Sequence, residues 1–562
     1  MNINPELLLD GYKLDHKNQY PDGLEFVSSN LTPRTTRRPY TRSVVTFGIQ
    51  YFVKEYLIEQ WQNNFFAQPI EKIEKRFTNR INNYLGPNNV GFEHIRALHN
   101  LGYLPISIWS LPEGTVSPIG VPTLVIFNTH KDFGWLTNYF ETILSVTVWG
   151  PCTSATTAHA YKKLFVKFAN ETVGNTDFVQ WQGHDFSMRG MFGLEAACMS
   201  GGGHLISFTG TDTIPAIDWL EQYYNADATK ELVGGSVAAT EHSVACAVIL
   251  NFVKKVRGVE GQTLTYDEKM NLADIEYVKN LITKVYPKGI VSIVSDSFDY
   301  WNTITNTAKV LKDVIMARDG KVVFRPDTGN PVEVVCGLSY KELDDQDDVA
   351  DEYYELHDAK VEIVKIDGKY YEVDYVHSKY DAREVDAAKL RDEIPECIVK
   401  GSIECLWDIF GGTITEKGFK QLDSHVGLIY GDSITYERAQ AICEGLKAKG
   451  FASTNLVYGI GSYTYQYVTR DTDGYAVKAT WVQVDGEEIE IFKDPKTDEF
   501  KAKKSAFGLV SVFKNEKGEF YLKDHATWDE VKNCEFVEVF TDGKLVKDYT
   551  LQEVRDNLKK YE

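Results

Sequence analysis

Between residues 178 and 462 one short phrase recurs about seven times: an apolar, β-branched run, a polar turn, then a segment with helical spacing. The runs end in Gly183-His184-Asp185-Phe186-Ser187-Met188-Arg189-Gly190, in Thr209-Gly210-Thr211-Asp212-Thr213 after Leu205-Ile206-Ser207-Phe208, and in Thr240-Glu241-His242-Ser243. Further along they end in Ser295-Asp296-Ser297, Arg325-Pro326-Asp327, Gly431-Asp432-Ser433 and Gly459-Ile460-Gly461-Ser462. Alternating strand and helix calls for a parallel sheet with right-handed crossovers. An open doubly wound sheet gathers its ligand at one switch point. Here nearly every unit carries polar residues just after its strand, as in a barrel whose active face is built from those loops. The reading is therefore α/β, an incomplete parallel β/α barrel.

The barrel pattern is expected over residues 176–470. Residues 1–175 read as helices, Phe47 to Trp61 and Ile70 to Tyr84, then β-rich from 103 to 128, then helices at Trp135 to Trp149 and Ala155 to Phe168. Residues 471–562 return to β character. They are expected to complete the sheet of residues 103–128, giving a second, α+β domain made from both chain ends. Residues 332–425 interrupt the barrel with an acidic stretch, Asp344-Asp345-Gln346-Asp347-Asp348, and strand-like alternation around Asp367-Gly368. A connection this long is read as a solvated insertion with a hairpin inside.

At 562 residues the chain is too long for one ordinary domain. A formal charge of −21 argues against a nucleic-acid surface, which needs a basic footprint. Against it, four arginines between Arg34 and Arg42 stand out, as a solvated loop or as a phosphate-facing arm. Eight cysteines without CxxC spacing read as reduced, with no zinc site. No run of about 18 apolar residues exists, and the N-terminus lacks a signal peptide's basic start, so no membrane span and a cytoplasmic protein are expected.

The strand-end residues suggest a chemistry. Asp296, Asp327 and Asp432 on one face suit Mg²⁺ and ribose hydroxyls. Gly431, Gly459 and Gly461 suit a phosphate held by backbone N–H groups. Arg325 offers a planar fork for a carbonyl or phosphate. Phe186 is either core or a stacking platform for a flat ring. Glu241-His242 is either a satisfied structural pair or an acid/base or nucleophilic one. His184-Asp185 has no second histidine at ligand spacing. With no Walker or GxGxxG motif, the expected ligand is a phosphorylated sugar with a flat base.

These motifs, in this order, resemble the nicotinamide phosphoribosyltransferases, the type II phosphoribosyltransferases of NAD salvage. The likeness runs from Asp10-Gly11-Tyr12-Lys13 through the strand ends above to Thr469-Arg470-Asp471 and Phe492-Lys493-Asp494-Pro495, and leaves out 332–425. It implies a Mg²⁺-dependent transfer from phosphoribosyl pyrophosphate to nicotinamide in a homodimer with shared sites. Phe186, with Tyr12 of a second subunit, would sandwich the pyridine ring. Arg325 and Asp212 would address its amide. Asp327 and Asp432 would hold the ribose, with Asp296 and Asp327 at the metal. Gly431 and Gly461 would cradle the 5′-phosphate. Arg34, Arg189, Arg470, Lys478, Lys493 and Lys501 would meet phosphate groups, and His242 would be phosphorylated by ATP. Nicotinate phosphoribosyltransferases and a non-catalytic binding protein on the same scaffold are the alternatives. The sequence departs from the family pattern at Gly461-Ser462-Tyr463, where a glycine triplet is expected, and at Ala476, where a serine is.

Overall fold

A computed structural model of the chain describes residues 3–257, 263–351, 353–380, 383–493 and 505–562. The fold divides into two compact units. One comprises Met1–Lys163, Ser187–Gly234 and Tyr465–Glu562; the other comprises Leu164–Phe186 and Gly235–Thr464. The segment 187–234, which the sequence pattern places in the barrel, packs with the chain ends.

The second unit is built on six parallel strands: β1 (Gly183–Asp185), β2 (Ala238–Ala239), β3 (Val291–Val294), β4 (Val322–Arg325), β5 (Val426–Tyr430) and β6 (Leu456–Ile460). Within this unit their order is β1-β6-β5-β4-β3-β2. From β2 to β6 each strand lies beside its successor in the chain, and β6 returns beside β1 while β1 and β2 stay unpaired with each other, which is the cyclic order of an incomplete barrel. All four residues of β3 are buried, as are four of five in β5 and β6. Such burial is why these strands read as continuous apolar runs without alternation. Because the strands are parallel, the polar turns after them fall on one rim.

Two strand readings are corrected. Residues 205–208 are no strand: the helix Leu194–Leu205 runs into a turn in which Ser207 and Phe208 N–H both donate to His204 O. Only Gly210–Thr211 is extended there. The apolar run is buried, and burial alone does not distinguish a turn from a strand. Likewise, Val179–Gln182 ahead of β1 is a short helical turn.

The insertion between β4 and β5 has its own four-stranded sheet, Lys341–Glu342, Ile363–Ile366, Lys369–Tyr380 and Arg383–Ile394 in spatial order. Leu343, Val349, Tyr353, Leu356, Val364 and Ile366 form a separate small core. Asp367 and Gly368 both take positive φ, 50° and 79°, as a two-residue hairpin turn requires. Gly337 and Gly401, where the excursion starts and ends, stand back to back. A Cβ on Gly337 would lie 2.1 Å from Val399 O, and one on Gly401 2.2 Å from Gly337 N.

The first unit carries an antiparallel sheet in the order Glu487–Glu490, Tyr475–Val484, Leu24–Pro33, Leu124–Asn128, Ile106–Ser110, Val537–Thr541, Lys544–Leu545. C-terminal strands flank N-terminal ones on both sides, so both chain ends do build this sheet. The two helices expected between Trp135 and Phe168 are largely one, Glu141–Thr172, with Pro151 inside it. Proline removes one backbone donor. Among the described residues no helix is long and apolar enough to cross a membrane.

Candidate active site

On the barrel rim the turns after β2, β3 and β4 bring together His242, Asp296 and Asp327. His242 opens the helix His242–Lys255. Its Nδ1 lies 3.0 Å from Ser297 Oγ, while Nε2 faces Asp296 Oδ1 at 3.6 Å and Asp327 Oδ2 at 3.8 Å. With Ser297 Oγ donating to Nδ1, the ring proton sits on Nε2, on the side of the two carboxylates, which can only accept.

Asp296 is fixed from the neighbouring turn. Its Oδ2 accepts from Asp327 N at 2.8 Å and from Thr328 Oγ1 at 3.0 Å. Its side chain is only 2% exposed, yet Oδ1 has no hydrogen-bond partner. Asp327 is more open. Burial raises its pKa above the usual aspartate value, and the charges of Asp296 and Asp432 add to this against Arg325 and His242. A buried carboxylate oxygen without a donor, next to a second carboxyl strained by its neighbours, is what a cation relieves. Among the described residues no three acidic, histidine or cysteine groups enclose a metal alone. Two carboxylates with the remaining positions left to water and substrate oxygens is a donor set that suits Mg²⁺.

The rest of the rim is built close. Arg325 Nη2 donates to Thr240 O, which fixes the plane of its fork. Tyr430, buried at the end of β5, donates through its hydroxyl to Thr328 O and Gly329 O, 3.0 and 2.9 Å away, and so pins the Asp327 turn. A Cβ at Gly431 would lie 2.8 Å from Asp327 Oδ1. A Cβ at Gly459 would lie 2.6 Å from Phe186 Cδ2, so the Phe186 ring stands directly on backbone. At Gly461 a Cβ would meet nothing within 4 Å. Asp432 Oδ2 accepts from Ser433 Oγ at 2.5 Å.

Eight of the expected site residues thus belong to the barrel unit: Phe186, His242, Asp296, Arg325, Asp327, Gly431, Asp432 and Gly461. The other seven with described positions, Tyr12, Arg34, Arg189, Asp212, Arg470, Lys478 and Lys493, belong to the first unit. There Lys478 sits among cations. Burial lowers its pKa; Glu141 opposes this, and the charges of Arg34, Lys493 and Lys13 reinforce it. Tyr12, Arg189 and Asp212 are exposed, and Arg470 pairs with Asp471 at 3.2 Å. Lys501, Asp494 and Pro495 lie outside the described residues.

Residues 181–534 match the model of the nicotinate phosphoribosyltransferase (NAPRTase) family, and residues 4–108 match that of the nicotinamide phosphoribosyltransferase N-terminal domain. A nicotinamide phosphoribosyltransferase of Acinetobacter baylyi is 42% identical over 567 residues, covering 99% of this chain and 97% of that one. The chain belongs to the nicotinamide phosphoribosyltransferase family. A nicotinamide phosphoribosyltransferase of Mycoplasma pneumoniae is 30% identical, over 88% of this chain and 92% of its own. Among solved structures, human nicotinic acid phosphoribosyltransferase aligns with a TM-score of 0.47 at 13% identity, over 98% of this chain and 93% of that one.

For a member of the nicotinamide phosphoribosyltransferase family, the sequence left two supporting residues without a role. Ser297 lies at a strand end, where its position was a usable signal. Tyr430 reads as the last core residue of an apolar run, and nothing local reveals that its hydroxyl reaches the turn after β4.

Proposed function

We propose that the chain joins nicotinamide to phosphoribosyl pyrophosphate, giving nicotinamide mononucleotide and pyrophosphate in NAD salvage. The observation that carries this is the rim itself: an orphaned Asp296 oxygen and the Asp327 carboxyl facing His242, beside a flat ring on bare backbone. In this reading Phe186 supports the pyridine ring and Arg325 donates to its amide oxygen. Asp327 and Asp432 accept from the ribose hydroxyls, and the backbone at Gly431 and Gly461 receives the 5′-phosphate. The ring nitrogen attacks C1 of the ribose as the bond to pyrophosphate breaks. Mg²⁺, held by Asp296 and Asp327, would neutralise charge on the leaving pyrophosphate. Tyr12, Arg34, Arg189, Arg470, Lys478 and Lys493 take their base and phosphate roles from the family resemblance.

The choice of base rests on Asp212. Ionised, it can only accept, and an amide NH₂ supplies the donor where a carboxylate supplies none. At about 4 Å and an effective dielectric near 20, a second negative charge would cost roughly 4 kcal/mol before screening. The match of residues 181–534 to the nicotinate family keeps nicotinate as the rival base. A homodimer with shared sites, a cytoplasmic location and ATP as phosphoryl donor to His242 belong to the same proposal.

The test is turnover by purified protein with Mg²⁺, phosphoribosyl pyrophosphate and each base in competition. Formation of nicotinamide mononucleotide in preference to nicotinate mononucleotide is expected. Equal use of both bases would transfer the proposal to nicotinate, and no product from either would end it. ATP should stimulate the wild type and leave His242→Ala unaffected.

A further inference from the structure

We propose that Asp473 is a positioning residue. It latches the arginine arm of residues 34–38 to the segment 470–474, setting Arg34 and Arg470 in register for the anionic groups of phosphoribosyl pyrophosphate; this rests on the function proposed above. The two segments are continuations of one ladder. Leu24–Pro33 and Tyr475–Val484 pair antiparallel, with Thr32 opposite Ala476 and Pro33 opposite Tyr475. Beyond Pro33 the regular ladder stops, but three longer-spaced bonds follow. Arg34 N donates to Gly474 O at 3.3 Å, Thr35 N to Asp473 O at 3.4 Å and Arg37 N to Thr472 O at 2.9 Å.

Two of these bonds are long, and side chains close what they leave loose. The Asp473 side chain is fully buried and accepts from Thr36 Oγ1 at 2.9 Å through Oδ1 and from Arg38 Nη2 through Oδ2. Arg38, only 6% exposed, turns its other end to Thr157 Oγ1 at 2.8 Å and Thr153 O at 3.4 Å. Arg38 is therefore an anchor inside the unit, while Arg37 faces solvent and Arg34 is half-buried. Gly474 completes the fit: its φ is +62°, and a Cβ there would lie 2.6 Å from Thr35 Oγ1. Arg34 Nε also donates to Gly474 O at 3.3 Å, so the arm's first arginine is oriented by the segment that Asp473 secures. A buried ion pair is a weak source of net stability, and in some systems its use is to fix registry. Here the register it sets joins two cation-bearing segments from opposite ends of the chain.

The experiment separates registry from folding. In the double variant Arg38→Met/Asp473→Leu both charges leave together, so it should fold and melt close to the wild type. Its KM for phosphoribosyl pyrophosphate should rise about tenfold or more, with kcat and the KM for nicotinamide within about twofold, since only the placement of the anion-binding groups is lost. Affinity for inorganic pyrophosphate, measured by calorimetry, should weaken in parallel. If the double variant does not fold, Asp473→Asn is measured in its place below its melting temperature, with the same expectation for both constants. A folded variant with unchanged KM and unchanged pyrophosphate affinity overturns the latch. A wild type that fails to convert the substrates overturns the proposed function and the latch with it; a converting wild type with unaffected variants overturns the latch alone.

Discussion

The two units hold their charged residues in opposite ways. On the barrel rim every group sits within three residues of a strand end, and neighbours on the next turn support it: Thr328 on Asp296, Tyr430 under the Asp327 turn, Ser297 on His242. In the unit made from both chain ends, the cations ride on segments far apart in sequence, and side-chain pairs such as Arg38 with Asp473 and Lys13 with Glu141 tie them down where the ladder ends or is absent. The barrel obtains geometry from its strand ends, whereas the other unit adds individual long-range ion pairs to its sheet. Damage in the barrel should therefore appear as lost chemistry, and damage in the other unit as lost stability or lost anchoring.

The largest effect is expected on the rim. Asp296→Ala removes the buried carboxylate and should lower kcat/KM about 10²–10³-fold, with a melting temperature no lower than the wild type. A marked drop in melting temperature would show that the rim, too, depends on single contacts. Next is Arg38→Ala, which leaves Asp473 buried without its cation. It should cost about 3–5 kcal/mol in urea unfolding, and a near-neutral result would remove the contrast from the other side. Asp212→Asn comes third: nicotinamide use should weaken and the exclusion of nicotinate relax by about ten- to a hundredfold, read by base competition.

The smallest effect is a pH dependence of stability. Asp327 has a folded pKa raised above the aspartate value of 3.8, chiefly by burial and then by Asp296. The folded state therefore binds this proton more tightly than the unfolded state does. The stabilising contribution is present below pH 3.8 and is lost as pH rises through the folded pKa. Asp327→Asn, which cannot ionise, should melt about 1–2 °C above the wild type at neutral pH, and that gain should shrink towards pH 4. A gain independent of pH would mean that the strain at Asp327 is not electrostatic.

The same contrast explains what could be read from sequence. The rim was legible because each functional residue follows its own strand within a few positions; Asp296, Asp327, Asp432 and His242 are placed by local pattern alone. The paired chain ends were legible in part: residues 103–128 and 475–484 show β character, whereas Leu24–Pro33, the strand that lies between them in the sheet, did not stand out. The Asp367-Gly368 turn could likewise be read from two adjacent residues. The arginine arm could not: a basic run gives no sign of which arginine turns inward, and the partner of Arg38 lies 435 positions away. Lys13 is the same case, taken from a motif at the N-terminus and buried against Glu141 at 2.7 Å. The break expected between Trp149 and Ala155 is the opposite case: one long helix runs through Pro151, with core residues such as Leu144, Val148, Cys152 and Ala155 along its length.

The touching glycines at 337 and 401 turn the insertion into a detachable cassette. The chain leaves and returns at one point, and the hydrophobic clusters centred on Leu356 and on Ile363 lie wholly inside the excursion. A gene in which codons 338–400 are exchanged for a short linker, or for a reporter whose termini lie close together, should still yield the β4–β5 pair in register, because Val322↔Val426 pairing does not pass through the exchanged segment. That junction is the natural port for grafting a fluorescent or affinity module onto this scaffold.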